Sequence, residues 1–402
     1  MPIRLRLTRP HPAQLQILRE ARRFNVLVCG RRFGKTSLTE ELCKRALEGW
    51  PIGYFAPTYK YLLETWRMLY AAYGQTLRRI SVQDRRFEFP SGGLIEFWTL
   101  EDPNAGRSRK YRRVIIDEAG VVADLGAAWE GGIRPALADL RGDGWLMGTP
   151  RGRNFFWECY QRGRDPDMPD WVCWQMPTRA NPFIRPEEIE SMRREMTERR
   201  FAQEILAQFL DDAGGVFRNV RAVCTARVAD ADARGQYIYG IDWGRLVDYT
   251  AISIWDAAER REVVLDRFNA VEYVQQEQRL VALAQRYPPQ VIIAEQNSIG
   301  LPIIERLVRL GLPIRPFTTT NATKAQIVDD LALAFEQQSI TLLNDPVGIA
   351  ELEAFEAERL PSGLTRYGAP TGQHDDTVMA RALAYSGLAE TRPLLLWSDD
   401  DD

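Results

Sequence analysis

The stretch Asn25-Val26-Leu27-Val28-Cys29-Gly30-Arg31-Arg32-Phe33-Gly34-Lys35-Thr36 decides how the first half of the chain is read. Val26 to Cys29 is an apolar run of the right length for a short buried strand. A glycine-bearing turn follows, then Gly34-Lys35-Thr36, then at once a helical spacing of apolar residues at Leu38, Leu42, Ala46 and Leu47. Strand, glycine loop, Gly-Lys-Thr and helix together turn backbone N–H groups towards phosphates. Lys35 would reach the β- and γ-phosphates, and the Thr36 hydroxyl would hold Mg²⁺. Gly30, Arg31, Arg32, Phe33, Gly34, Lys35, Thr36 and Ser37 are the expected nucleotide contacts. Gly30 and Gly34 enclose three residues where the usual loop has four, so on this stretch alone a plain strand-to-helix turn stays open. The chain has 52 basic side chains but only five lysines, Lys35, Lys44, Lys60, Lys110 and Lys324. A lysine at the phosphate position is therefore harder to ascribe to accident.

Working outward, Gln14 opens a short helix ahead of the loop strand; it reads either as an adenine-edge contact or as an ordinary solvent-facing glutamine. Downstream, Ile52–Ala56 is a second strand and Tyr61–Tyr73 a helix. Val82–Phe89 and Leu94–Leu100 read as a hairpin round Pro90-Ser91-Gly92-Gly93. The run Val114-Ile115-Ile116-Asp117-Glu118 is an apolar strand ending in two acids. There Asp117 would order Mg²⁺ and Glu118 would polarise an attacking water. Taken with Lys35 and Thr36, this pair implies ATP hydrolysis. Trp145–Met147 is a further strand, and Thr149 just beyond it reads either as a γ-phosphate sensor or as part of a plain strand-to-loop turn. Trp171–Met176 is one more strand, and Pro186–Phe209 reads as one helix. Such β–α alternation predicts a mostly parallel sheet flanked by helices.

At 402 residues the chain is long for a single core, and two domains of about 200 residues are expected. No run of 18 apolar residues occurs, so no membrane span or membrane partner is expected. Met1 to Arg22 lacks the apolar core of a signal peptide. The five cysteines show no paired short spacing, which argues against a disulfide framework or a structural zinc site. Two histidines exclude a histidine-rich metal cluster. The formal net charge of -3 does not exclude DNA, because local patches bind phosphates.

The acidic and glycine-rich Asp211-Asp212-Ala213-Gly214-Gly215 marks a break. The expected division is 1–210 for the nucleotide domain, 211–235 for a linker, 236–390 for a second domain and 391–402 for an acidic, disordered tail. In the second domain, Tyr237–Trp243 is a strand delivering Asp242, and two further strands complete a meander. Val291–Ala294 is a buried strand ending in Glu295. His374-Asp375-Asp376 heads a closing helix. Each acid taken singly is an ordinary turn or cap residue. As an ordered set at one sheet edge they would repel unless cations sat between them. Oxygen ligands on rigid tips suit Mg²⁺ or Mn²⁺, and two such ions would hydrolyse a phosphodiester. Asp248 reads as a supporting acid. His374 reads either as orienting the site or as exposed, and Lys324 as meeting a phosphate or as solvated.

The whole order, from Leu7 to Ala384, resembles the large subunit of a tailed-bacteriophage terminase, the DNA-packaging motor. The short loop Gly30–Thr36, the run Val114–Glu118, Gly148-Thr149-Pro150 and the acids Asp242, Glu295 and Asp375-Asp376 carry that resemblance. It implies an α/β chain: an N-terminal P-loop NTPase and a C-terminal RNase H-like nuclease with a mixed sheet. It implies ATP and Mg²⁺ (or Mn²⁺ at the nuclease) as cofactors. Double-stranded DNA, a viral portal protein and a small terminase subunit follow as partners. A homo-oligomeric ring is implied on the portal, with monomers in solution allowed. The setting would be the host cytoplasm, with transient docking on the prohead and absence from the mature virion. The resemblance also implies a trans-acting arginine: Arg107 is preferred, with Arg109 as the fallback, while Arg31 would act in cis. Which of Asp375 and Asp376 binds metal stays open. A helicase- or repair-type ATPase fused to a nuclease is the alternative; it usually carries a second ATPase-like lobe, and the chain has no second phosphate loop.

Overall fold

The computed structural model describes residues 5, 7–102, 104–210, 215–232, 235–244, 249–296, 300–359 and 365–390. Asp248 and the tail 391–402 lie outside the described residues. The chain divides into two units, Met1–Asp212 with Pro361–Leu364, and Ala213–Leu360 with Thr365–Asp402.

The first unit is built on one sheet of eight strands: β1 Phe24–Cys29, β2 Pro51–Ala56, β3 Arg79–Ser81, β4 Arg86–Glu88, β5 Leu94–Thr99, β6 Arg113–Ile116, β7 Asp143–Gly148 and β8 Trp171–Met176. Their spatial order is β3-β4-β5-β2-β6-β7-β1-β8. The run from β5 to β8 is parallel, and β4 and β3 add an antiparallel edge. All six residues of β1 are buried, as a central parallel strand requires. Successive side chains leave a strand on opposite faces. Leu27 and Cys29 accordingly join one core with Leu38, Leu42 and Tyr54. Val26 and Val28 join the other, with Phe55, Val114 and Ile116. Because β1, β6 and β7 are parallel, the segments that leave their carboxyl ends emerge on one edge.

Three expectations change. Val82–Phe89 is not one strand: Ser81 donates to Asp84 at 2.8 Å and Arg85 takes a left-handed φ of 48°, so a turn separates β3 from β4. Pro186–Phe209 is not one helix. It runs Pro186–Glu195, breaks, and restarts as Glu198–Glu204, where the Thr197 hydroxyl accepts the Arg200 N–H. The expected linker 211–235 is not a bare connector. Phe217, Val220, Val223 and Cys224 lie in the core of the second unit.

The second unit's short strand β9 Cys224–Ala226 precedes β10 Tyr237–Asp242, β11 Thr250–Asp256, β12 Arg261–Phe268, β13 Pro289–Glu295, β14 Ile314–Phe317, β15 Leu342–Leu343, β16 Glu356–Arg359 and β17 Thr365–Gly368. The main sheet is mixed, in the order β12-β11-β10-β13-β14. The meander β10-β11-β12 is antiparallel, and β13 and β14 run parallel to β10. The closing helix Asp376–Glu390 lies so close to β10 that a Cβ on Gly240 would sit 2.0 Å from the Ala380 carbonyl.

That helix is tied to the sheet by charge. Arg381 and Glu262 are both fully buried and pair at 2.9 Å through Nη2 and Oε2. Glu262 also accepts from the Ser253 hydroxyl at 2.7 Å and the Leu343 N–H at 3.0 Å. Removing one member of such a pair leaves an uncompensated charge in the core, at a cost of about 3–5 kcal/mol. Arg381→Met should lower the stability of the second unit by that amount in urea unfolding. An unchanged transition would show that the pair contributes little to the fold.

Candidate active sites

In the first unit the phosphate loop is a turn held from every side. Gly34 takes φ 108°, a conformation open to glycine at no steric cost. The helix Lys35–Cys43 begins immediately after it, with no side chain capping its N-terminus, so first-turn N–H groups face outward. Thr178 donates its hydroxyl to the Arg31 carbonyl at 2.7 Å, and Asn181 its amide to the Arg32 carbonyl at 2.7 Å. The Arg31 N–H donates to the Glu204 carbonyl at 2.7 Å. A His11 ring nitrogen lies 2.9 Å from the Phe33 carbonyl. Phe33 itself is buried.

Gln14 is 1% exposed. Its amide donates to the Gly34 carbonyl at 2.8 Å and the Ser37 hydroxyl at 3.0 Å, and its oxygen accepts the His11 N–H at 3.0 Å. Gln14 is thus not the solvent-facing residue of one expectation; its amide hydrogens brace the loop. Ser37 is likewise occupied, donating to the Gly34 carbonyl at 2.9 Å. Thr36 is exposed beside the half-buried Lys35.

Opposite the loop, Asp117 and Glu118 leave β6. Glu118 adopts φ 48°, a strained setting for a glutamate, and its carboxylate pairs with Lys35 Nζ at 3.2 Å. Asp117 accepts the Tyr54 hydroxyl at 2.9 Å and the Glu118 N–H at 2.9 Å. Burial, and then the charge of Glu118, push the Asp117 carboxyl above its usual range; Lys35 and Tyr54 pull it back. Burial pulls the Lys35 ammonium down, but the negative charge around it, Glu118 and Asp117 included, outweighs burial and raises the group. Thr149 follows β7, and its carbonyl would be 2.2 Å from a Cβ on Gly120, two residues after Glu118. Lys35, Asp117, Glu118 and Thr149 thus share one sheet edge.

The arginines differ in how they are held. Arg31 Nε pairs with Glu204 at 2.5 Å, and Arg151 takes the other Glu204 oxygen at 2.9 Å. Arg32 is exposed, with φ 63°. Arg107 is exposed, and its guanidinium meets Asn104 of its own loop at 3.1 Å. Arg109 lies over Trp98 and 3.7 Å from Glu96.

In the second unit Asp242 ends β10 and Glu295 ends β13. Ile241 stands opposite Ala294 in parallel register, so the two acids leave adjacent strands side by side. Their carboxyl groups are in hydrogen-bond contact. Burial, then Glu295, then Asp376 and Asp375 push the Asp242 carboxyl well above the carboxylate range. Asp375 and Asp376 sit at the start of the closing helix. Lys324 holds Asp375 at 3.0 Å. Asp376 lies 3.6 Å from both Arg267 and His374. Burial and Glu351 push the Asp376 carboxyl up to about 6, against His374 and Arg267.

Among the described residues, no three or more Asp, Glu, His or Cys side chains already surround one point as metal ligands. Lys324 and Arg267 engage Asp375 and Asp376 instead. The chemistry nevertheless fits hard divalent cations: the donors are all carboxylate oxygens. Two carboxyl groups as close as Asp242 and Glu295 need a proton or a cation between them. Asp376 Oδ2 is buried without a hydrogen-bond partner.

No family model matches the chain. The large terminase subunit of Thermus virus P23-45 is 28% identical over 447 aligned positions, covering 96% of this chain and 91% of the relative. That of Thermus phage G20c is 27% identical over 450 positions, with the same coverage. The chain matches the large subunits of phage terminases. The solved structure of a large terminase from another thermophilic bacteriophage shares the fold at a TM-score of 0.61 and 14% identity, covering 93% of this chain and 98% of that one.

The similarity to large terminase subunits runs along nearly the whole chain and takes in both of its units. Several supports of its sites have no counterpart in the sequence reading: Tyr54, Thr178, Asn181 and Glu204 round the loop, and Arg267 and Glu351 beside the acids. All lie far along the chain from what they hold. No local signal marks them.

The carboxylate cluster yields a stability prediction. A carboxyl whose folded pKa is raised costs stability once the pH exceeds the unfolded value, and the cost grows until the folded pKa is passed. In EDTA at pH 8, Asp242→Asn should therefore raise the melting midpoint by a few degrees, about 1 kcal/mol. At pH 5 the gain should shrink, because less of that cost has accrued so close to the unfolded value. A lower midpoint at both pH values would mean that Asp242 is not repelled by its neighbours.

Proposed function

We propose that this chain is the motor and cutting subunit of a viral DNA-packaging machine. Its first unit would hydrolyse ATP as a ring on a portal protein and drive double-stranded DNA into a prohead. Its second unit would cleave concatemeric DNA by two-metal phosphodiester hydrolysis. A small terminase subunit would deliver the DNA, and the work would take place in the host cytoplasm during transient docking. The observation that supports this most is the joint presence of both sites in a chain alignable along 96% of its length with a large terminase subunit. A generic repair ATPase–nuclease has no such support.

In the first unit Lys35 would leave Glu118 for the β- and γ-phosphates of ATP. Glu118, released, would orient the attacking water. Thr36 and Asp117 would hold the nucleotide's Mg²⁺, and Thr149 would register loss of the γ-phosphate. Arg31 would assist in cis. Arg107, exposed and anchored only loosely within its own loop, suits reaching a neighbouring subunit better than Arg109, which is held over Trp98.

In the second unit Asp242, Glu295, Asp375 and Asp376 would hold Mg²⁺ or Mn²⁺. Bound there, the ions would activate a water and stabilise the leaving oxygen of a phosphodiester. Asp242 and Glu295, on adjacent strand tips, set the floor of that site, and Lys324 offers a cation to a DNA phosphate. Phosphate contacts should dominate DNA binding, so affinity should fall steeply with salt.

Lys35→Ala should abolish ATP turnover while Mn²⁺-dependent plasmid cutting stays measurable, and Asp242→Ala should do the converse. Equal loss of both activities in either variant would contradict separable sites. Arg107→Ala should remove ATPase activity. Mixing it with Lys35→Ala protein should restore part of that activity if the arginine acts between subunits; a mixture with no activity would count against action in trans.

A further inference from the structure

Beside the carboxylates of the second unit stands a basic residue outside the ligand set. Arg267 lies on β12 opposite Ala251 of β11, and its side chain is 18% exposed. Its guanidinium carbon sits 3.4 Å from the centre of the Tyr249 ring, which fixes the plane of the group. Nη2 lies 3.0 Å from Glu351 Oε1 and 3.6 Å from Asp376 Oδ2. The other Glu351 oxygen accepts the Thr377 N–H at 2.9 Å and the Thr377 hydroxyl at 2.5 Å. Glu351 therefore grips the first turn of the closing helix with one oxygen and Arg267 with the other. His374 completes the group, edge-on to Tyr249 at 5.1 Å and 3.6 Å from Asp376.

We propose that Arg267, stacked on Tyr249 and paired with Glu351, is a positioning residue that sets the direction of the Asp376 carboxylate for a divalent cation. The proposal rests on the reading of Asp242, Glu295, Asp375 and Asp376 as the ligand set. A guanidinium next to such a ligand acts in two opposed ways. It repels an incoming cation, and it fixes the carboxylate that must receive it. Here Glu351 compensates the charge at 3.0 Å, which weakens the repulsion. The stack and the pairing leave the orienting effect intact. Orientation therefore wins, and loss of Arg267 weakens cation binding. Pure charge repulsion predicts the opposite sign.

The test is Mn²⁺ titration of the full chain without DNA, read by calorimetry and by the electron paramagnetic resonance of free Mn²⁺. Wild type, Arg267→Met, Glu351→Gln and Asp242→Ala are compared, with melting in EDTA as the check on folding. Partners that orient a metal ligand typically contribute 10–100-fold in affinity. Arg267→Met should raise the half-saturating Mn²⁺ by about that factor in binding and in plasmid cutting alike. Glu351→Gln keeps an oxygen for Thr377 and loses the ion pair, so it should shift Mn²⁺ in the same direction by less; should Arg267→Met fail to fold, Arg267→Gln, which also removes the charge and the stack, decides the matter. Unchanged or tighter Mn²⁺ binding in a folded variant would overturn the proposal alone. Wild-type protein that binds Mn²⁺ no better than Asp242→Ala would overturn the ligand reading, and the proposal with it.

Discussion

Repulsion between carboxylates is the constraint round which the second unit is built. The parallel register of β10 and β13 forces Asp242 and Glu295 together, and the closing helix brings Asp375 and Asp376 to the same end. Such a cluster opposes folding unless other interactions hold its bearers in place. Two local cations, Lys324 and Arg267, offset it directly. The buried Glu262–Arg381 pair holds the helix itself on the sheet, and Gly240 lets the helix approach. The repulsion is thus localised on carboxylate oxygens, with Asp242 and Glu295 carried at the ends of paired strands. That suits a site whose ligands must meet cations without rebuilding the fold.

The first unit meets a related problem with opposite charge. A loop that presents N–H groups to phosphates cannot satisfy them internally, so its carbonyls are bound from outside by Gln14, Thr178 and Asn181. The ammonium of Lys35 rests on Glu118, the group read as orienting water. A single ion pair therefore joins the proposed phosphate ligand to the proposed hydrolytic residue, and nucleotide binding would have to break it. On the proposed mechanism this would link binding of ATP to release of Glu118.

The parts of the sites legible in the sequence are those carried by local pattern. An apolar run ending in Asp117-Glu118 or in Glu295 announces a strand with acids at its tip, and Gly34-Lys35-Thr36 announces a turn entering a helix. Side-by-side register of Asp242 and Glu295 is a property of the sheet, and no local spacing encodes it. Gln14, Glu204, Arg267 and Glu351 look like solvated polar residues until the chain is folded; the loop, helix turn or acid that each one holds lies 20 or more positions away. Glu262 in a strand is equally silent, because its partner Arg381 is 119 residues on. The segment 211–235 reads as a bare linker because Phe217, Val220 and Val223 are too sparse to show a period, yet together they fill a core.

The most direct measurement is a crystal structure of the full chain soaked in Mn²⁺, with the ions located by anomalous scattering. Two peaks about 3.5–4 Å apart, shared by Asp242, Glu295 and at least one of Asp375 and Asp376, are the predicted result. Ions bound elsewhere, with the late carboxylates still paired to Lys324 and Arg267, would contradict it.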